Sequence, residues 1–248
     1  MIRSLVHVPV LLTILALASS APSRAELIAD LSSHLVAITT GFTGAKVLLF
    51  GTTGGSGDVV VVVRGPEDAK VVRRKGRRAG VWINEAEMVF ERVPSFYALA
   101  ANRPIDEFLP ARVAEREEIG LANMRIRPPE GVDPSEVEAF RAGLIRSKQK
   151  ARLYGVEAGR ITFLGQTLFR TDMFFPANAP TGTYIIRVFL VEDGEIVGAN
   201  ITPLVISKIG FEAGVFDFAH RHSLAYGVLA ILIAAVAGWL ASVVFHKD

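Results

Sequence analysis

The 248 residues contain no cysteine. A chain without it has no disulfide, no thiolate metal site and no Cys nucleophile, and a domain of this size is stable without staples. Histidine is scarce as well. Of the five, only His34, His220 and His222 lie outside the two terminal segments. A Ser-His-acid triad would have to use His34 or the pair beside the C-terminal apolar run, and no pattern singles either out. Gly54-Gly55-Ser56-Gly57-Asp58 is not the nucleophile elbow Gly-x-Ser-x-Gly, because Asp58 fills the last position. The glycines from 51 to 57 lack the Lys-Ser/Thr of a phosphate loop, and no Gly-x-Gly-x-x-Gly follows a strand. A strong charge of either sign is also missing. Residues 26–219 hold 23 Lys+Arg and 24 Asp+Glu, so the pI near 9.0 does not indicate nucleic acid as a partner.

What the chain does have is apolar segments at both ends. Arg3 followed by the short apolar stretch 5–18 and Ser23-Arg24-Ala25 reads as a signal peptide over 1–25, cleaved before Glu26. The alternative is an uncleaved anchor, although the apolar run is shorter than the ~20 residues a span needs. Residues 224–245 form an uncharged apolar run long enough to cross a ~30 Å hydrocarbon layer as a helix. Tyr226 and Trp239 lie toward its ends, and only His246, Lys247 and Asp248 follow. An N-terminal export signal followed by a stop-transfer helix puts 26–210 outside the cytoplasm, leaves 211–223 as a juxtamembrane segment, and puts 246–248 inside.

Between the ends, short Val-, Ile-, Phe- and Thr-rich runs at 35–40, 45–52, 58–64, 70–74, 80–83 and 87–93 read as strands punctuated by Gly, Asn and Pro. Val59 to Val63 are five consecutive valines, which suits a central strand covered on both faces. Residues 103–155 read as helical. Asp133-Pro134-Ser135-Glu136 supplies an N-cap, a first-turn proline and the Glu of a capping box, Val137, Phe140 and Leu144 mark one face, and Gly155 is the expected C-cap. A shorter, proline-interrupted helix is expected between Pro104 and Ile119. Strands resume at Ile161. Tyr184, Ile186, Val188 and Leu190 share a face, Asp193-Gly194 marks a hairpin turn, and Pro203 implies an edge or bulge in the returning strand 196–207. Pro180-Thr181-Gly182-Thr183-Tyr184-Ile185-Ile186 resembles the tyrosine-corner entry to strand F of immunoglobulin-like domains, with Ile186 at the second cysteine's position. The expected fold is mainly β: an immunoglobulin-like β-sandwich with a helical insertion, plus one C-terminal transmembrane helix. Two small separate domains are the alternative.

Two groups of residues qualify as contact sites. Arg73, Arg74, Lys75, Arg77 and Arg78 form the densest charge cluster, expected at a hairpin tip that either is simply solvated or touches anionic lipid headgroups or an acidic partner. Ala230, Ala234, Gly238 and Ser242 recur every four residues, a small-residue stripe suited to helix–helix contact in lipid or merely filler. His220-Arg221-His222 could ligate a metal if extended, but reads as a polar anchor at the membrane interface. Arg146, Lys148, Lys150 and Arg152 complement a helix dipole, and Glu85, Glu87, Glu115, Glu117 and Glu118 read as surface. No cofactor is expected.

Several stretches carry a family resemblance. They are Leu35-Val36-Ala37-Ile38-Thr39-Thr40-Gly41-Phe42, Val71-Val72-Arg73-Arg74-Lys75-Gly76, Pro94-Ser95-Phe96-Tyr97-Ala98, Pro176-Ala177-Asn178 and the run from Phe211 to Arg221. Together they resemble an uncharacterised alphaproteobacterial family of transmembrane proteins, over nearly the whole exported chain. The resemblance assigns no site. It implies a Gram-negative cell, hence inner membrane and periplasm, and points toward a transport-associated role beside permeases similar to sulfite exporters. The expected function is therefore a noncatalytic periplasmic binding or accessory module for an inner-membrane partner. A membrane-tethered hydrolase with an unrecognised site is the alternative.

Overall fold

Five valines hold the centre of the molecule together. In the computed structural model, which describes residues 27–78, 80–209 and 218–245, Val59 to Val63 are all buried. Their strand, β4 (Asp58–Arg64), lies inside a six-stranded sheet with order β2-β12-β11-β4-β7-β8. The other members are β2 (Leu35–Ile38), β7 (Tyr97–Ala101), β8 (Gly159–Arg160), β11 (Gly182–Glu192) and β12 (Glu195–Lys208). Side chains alternate between faces along a strand. Val59, Val61 and Val63 therefore join the core shared with a second sheet, while Val60 and Val62 pack under the helical insertion. Each fully buried valine contributes about 2 kcal/mol of apolar transfer.

The second sheet has order β1-β3-β10-β9, from β1 (Leu27–Leu31), β3 (Gly44–Thr53), β9 (Thr162–Leu164) and β10 (Leu168–Pro176). Leu49, Phe169 and Phe175 from this sheet meet Tyr184, Ile186, Val188 and Leu190 from the first, so the two sheets form a sandwich. The strand orders are compatible with the A-B-E-D and G-F-C sheets of an immunoglobulin-like domain. The Tyr184 hydroxyl donates to the Pro180 carbonyl at 2.7 Å, the bond expected of a tyrosine corner. At Asp193-Gly194 both residues have positive φ (49° and 77°), and Glu192 pairs with Glu195 across a two-residue turn of type I′. Pro203 lies where β2 no longer covers β12, since β2 pairs only from Val205 onward.

The insertion contains short 3-10 turns at Ile105–Glu107 and Leu121–Asn123 and helices α1 (Ala111–Arg116) and α2 (Pro134–Lys150). Asp133 caps α2 through the Ser135 N–H at 2.7 Å, and Phe140 and Leu144 are its buried face. Two details differ from expectation. Glu136 reaches Arg74 at 3.5 Å rather than closing a capping box. The C-terminus of α2 ends at Arg152 (φ 58°) and not Gly155: the Leu153 N–H reaches the Lys148 carbonyl and the Arg152 N–H the Gln149 carbonyl, a Schellman motif. Those two bonds offset the left-handed backbone of a residue with a Cβ.

Residues 67–94 also depart from the sequence reading. Their pattern predicts several short strands of the sandwich, with a break near Gly76. Instead β5 (Glu67–Arg78) and β6 (Val81–Pro94) form a separate two-stranded sheet, an arm inserted between β4 and β7. At its base Gly65 is packed so closely on Ser95 and Phe96 that a Cβ would collide with them. Farther along the chain, α3 (Ser223–Phe245) is the C-terminal apolar helix, and none of its span-forming window is buried. The expected signal segment 1–25, residues 211–217 of the juxtamembrane segment and the tail 246–248 lie outside the described residues.

Candidate functional site

The arm is stiffened along one face by α2. Met88, Phe90 and Val93 of β6 bury against Phe140 and Leu144, with Val72, Ala86, Val132 and Val137 around them. The helix runs antiparallel to β5. Near the arm's base, Lys148 donates to the Ser95 carbonyl at 3.3 Å and sits 5.8 Å from the Tyr154 ring. Burial there holds the Lys148 ammonium below its usual pKa, and the nearby Lys70 charge adds to the effect. At the other end, Arg74 reaches Glu136 and lies 5.3 Å over the Phe140 ring. Past Arg74 and Ala86 the arm continues without the helix.

The basic cluster falls along β5 up to its last residue, so it is strand and arm tip rather than a loop. Its five cations have different surroundings. Arg73 pairs with Glu87 at 3.2 Å and Arg78 with Glu85 at 3.3 Å, which gives two of the glutamates read as plain surface a cross-strand role. Arg77 donates to the Gly80 carbonyl at 3.4 Å, and among the described residues Lys75 makes no ion pair. Opposite them on β6 stand apolar groups in water: Trp82 is 66% exposed and Val81 62%, with Ile83 beside them. The register pairs Arg78 with Val81, Arg77 with Trp82 and Gly76 with Ile83. Sequence reading found the cations and missed the apolar half of the tip, because only the pairing brings the two together.

Other polar constellations hold the fold. Glu118 is not the surface residue expected. Its carboxylate meets Arg64 at 2.6 Å, its backbone φ is 56°, and its carbonyl accepts from the Tyr97 hydroxyl at 3.2 Å. Desolvation would raise the Glu118 pKa, but the Arg64 charge, the Arg125 N–H and the Arg64 hydrogen bond together bring it below the ordinary value. Tyr97 also accepts the Gly120 N–H at 2.7 Å, and burial pushes its hydroxyl up to about 12. These bonds tie the insertion to β7 and β4, a link between segments too distant in sequence for local patterning to reveal.

The clefts are shallow. One of 440 Å³ is lined by Asp58, Arg103, Glu107 and the turn 192–194. Its charges satisfy one another: Arg103 forms a fork with Asp58 at 2.6 and 2.8 Å and reaches Glu107 at 3.6 Å. The Arg103 bond dominates in holding the Asp58 carboxyl below its ordinary range. His34 pairs with Asp30 at 2.9 Å, both half exposed, while the Ser32 and Ser33 hydroxyls bond to backbone at Leu48 and Leu35. Among the described residues no group of three or more His, Asp or Glu side chains is placed to hold a metal.

The second candidate site lies on α3. Ala230, Ala234, Gly238 and Ser242 sit one turn apart on an exposed apolar helix of 23 residues, about 35 Å long. Space around the Gly238 Cα is open. A lone apolar helix with no charge in its length and water-facing leucines, isoleucines and valines on all sides matches a lipid environment in length and composition. Residues 26–247 match the model of a protein family described as "Putative transmembrane protein (Alph_Pro_TM)". The chain belongs to that family. No curated protein matches this family member. Among solved structures, the N-terminal domain of the Streptococcus gordonii adhesin Sgo0707 is similar over 75% of this chain and 33% of that one, at 7% identity and a TM-score of 0.26. The chain thus spans a third of that structure's length.

Proposed function

We propose that this transmembrane protein is a noncatalytic binding or accessory module of the periplasm, tethered to the inner membrane by α3 and serving a membrane partner such as a transporter. The observation that carries the reading is α3 itself, an uncharged, wholly exposed helix that follows a β-rich domain. Its length suits a bilayer, and a helix satisfies its own backbone there. The N-terminal pattern of Arg3, a short apolar run and Ser23-Arg24-Ala25 supports export, so the domain lies in the periplasm and Asp248 in the cytoplasm. The stripe from Ala230 to Ser242 is the surface we assign to a permease partner, ahead of a second copy of the chain.

Two measurements test this. A reporter active only in the periplasm is active when fused after Ser207 and silent when fused after Asp248, and the mature protein begins at or near Glu26. The reverse reporter pattern would overturn the topology. Affinity purification from gently solubilised membranes recovers an inner-membrane protein, and a hydrolytic activity lost on His34→Ala would replace this reading with the tethered hydrolase.

A further inference from the structure

We infer that the tip of the β5–β6 arm is a second membrane contact, seated on the anionic headgroup surface of the same bilayer that α3 spans. The inference rests on the reading of α3 as a membrane span. It does not depend on which side of the membrane the domain occupies.

Topology supplies the first support. β4 runs antiparallel to β11, and β11 antiparallel to β12, so β4 and β12 end at the same edge of the sheet. The registers place Arg64 opposite Ile185 and Gly182 opposite Ile206, and a Cβ on Gly182 would lie 2.8 Å from Pro66. The arm therefore departs, through Gly65 and Pro66, from the end of the sheet at which the chain leaves Lys208 toward α3. The chain thus starts toward its membrane helix from the edge at which the arm is rooted.

Length supplies the second. The twelve residues of β5 span about 40 Å. Residues 209–217 reach at most about 32 Å, and the helical turn 218–222 adds about 8 Å before Ser223. A tether of that reach brings the arm's tip to the bilayer surface without tearing the domain from its anchor.

Chemistry supplies the third. Trp is favoured at the headgroup level, where its ring is part apolar and part polar, and Lys and Arg there meet lipid phosphates. Each cation near an anionic surface is worth about 1 kcal/mol. Val81, Trp82 and Ile83 stand on one strand of the tip, with Lys75, Arg77 and Arg78 on the other. A polar solvated turn has no reason to leave Trp82 66% exposed. An acidic protein partner would use the same cations, and the experiment separates the two.

The test uses the full chain carrying Trp239→Phe, which leaves Trp82 as its single tryptophan. The protein is reconstituted into vesicles of phosphatidylcholine alone or mixed with phosphatidylglycerol, each with and without lipids brominated near the headgroup. In phosphatidylglycerol vesicles Trp82 emission shifts to shorter wavelength and is quenched by the bromines. High salt reverses part of the effect. Lys75→Glu, Arg77→Glu and Arg78→Glu together abolish the quenching, while the chain still floats with the vesicles. Trp82 that keeps its water-exposed emission in phosphatidylglycerol vesicles, on a chain that does float, overturns the proposal and leaves the arm to an acidic protein. A chain that does not float sinks the membrane reading and this inference with it.

Discussion

Strand β4 and the tip of the arm use the same kinds of residue in opposite ways. In β4 five valines are hidden on both faces, and the strand's charged ends are spent on partners: Asp58 on Arg103, Arg64 on Glu118. At the tip, Val81, Trp82 and Ile83 stand in water beside cations that are only partly neutralised. Gly65 and Pro66 join β4 to the base of the arm, and the tip lies a further twelve residues along β5, so burial gives way to exposure along one continuous strand path. Apolar groups in β4 stabilise the domain, whereas those at the tip leave much of their surface in water. The free energy of covering that surface is available only to something outside the chain.

The sharpest way to break this contrast is to put the same charge in both places. Val62→Asp buries an unpaired carboxylate between the sheet and the insertion, a change that costs at least about 4 kcal/mol. Folded, protease-resistant protein is lost. Ile83→Asp at the tip changes stability by less than about 0.5 kcal/mol in thermal melting of the detergent-solubilised chain. Comparable losses from both would mean that the tip is part of the core.

The next largest effect is Gly194→Val. At φ 77° a β-branched residue is strained, and its Cβ would also lie 3.1 Å from Pro110 of the insertion. The expected cost is about 2 kcal/mol, or a melting temperature lower by roughly 4–8 °C. An unchanged melting temperature counts against the type I′ turn. This turn, the valine strand and the Tyr184 face were legible because each signal is local: a dipeptide, a continuous run, a period of two. β5 was not, since eight of its twelve residues are charged and its strand form comes from pairing with β6. β7 hid for a related reason. Tyr-Ala-Leu-Ala-Ala favours helix by composition, and the valine strand beside it overrides that preference. β1, close to the expected cleavage site, is too short a run to be legible either. Glu118 and the Schellman Arg152 were illegible because their partners are bonds, not residue types.

A smaller effect separates the paired charges at the ends of β4 from the looser ones at the tip. Glu118 has a folded pKa below its ordinary value, so the folded state binds fewer protons than the unfolded state at low pH. Its contribution is complete above the unfolded value near 4.5 and is lost as pH falls through the lower folded value. Glu118→Gln therefore flattens the acid side of the stability curve below about pH 4.5. The Arg78–Glu85 pair at the tip, with Arg78 three-quarters exposed, is by contrast worth at most about 1 kcal/mol. Parallel acid limbs for wild type and Glu118→Gln would refute the assignment.

The smallest effect on the domain comes from changing a second exposed apolar surface, α3. Replacing Ala234 and Gly238 together with Leu makes the helix more apolar and leaves every contact of the sandwich and arm untouched. Helices in lipid gain little from apolar area as such. Close backbone approach at small residues makes their packing favourable, and two leucines on one stripe prevent it. Insertion and domain melting are therefore unchanged, while co-purification or crosslinking with the membrane partner, or dimerisation in a membrane two-hybrid assay, is abolished. The tip variants Lys75→Glu, Arg77→Glu and Arg78→Glu form the matched comparison. They release the arm from anionic lipid and leave the helix contact intact. If the double leucine variant still recovers its partner at wild-type yield, the stripe is not an interface and α3 is a tether only.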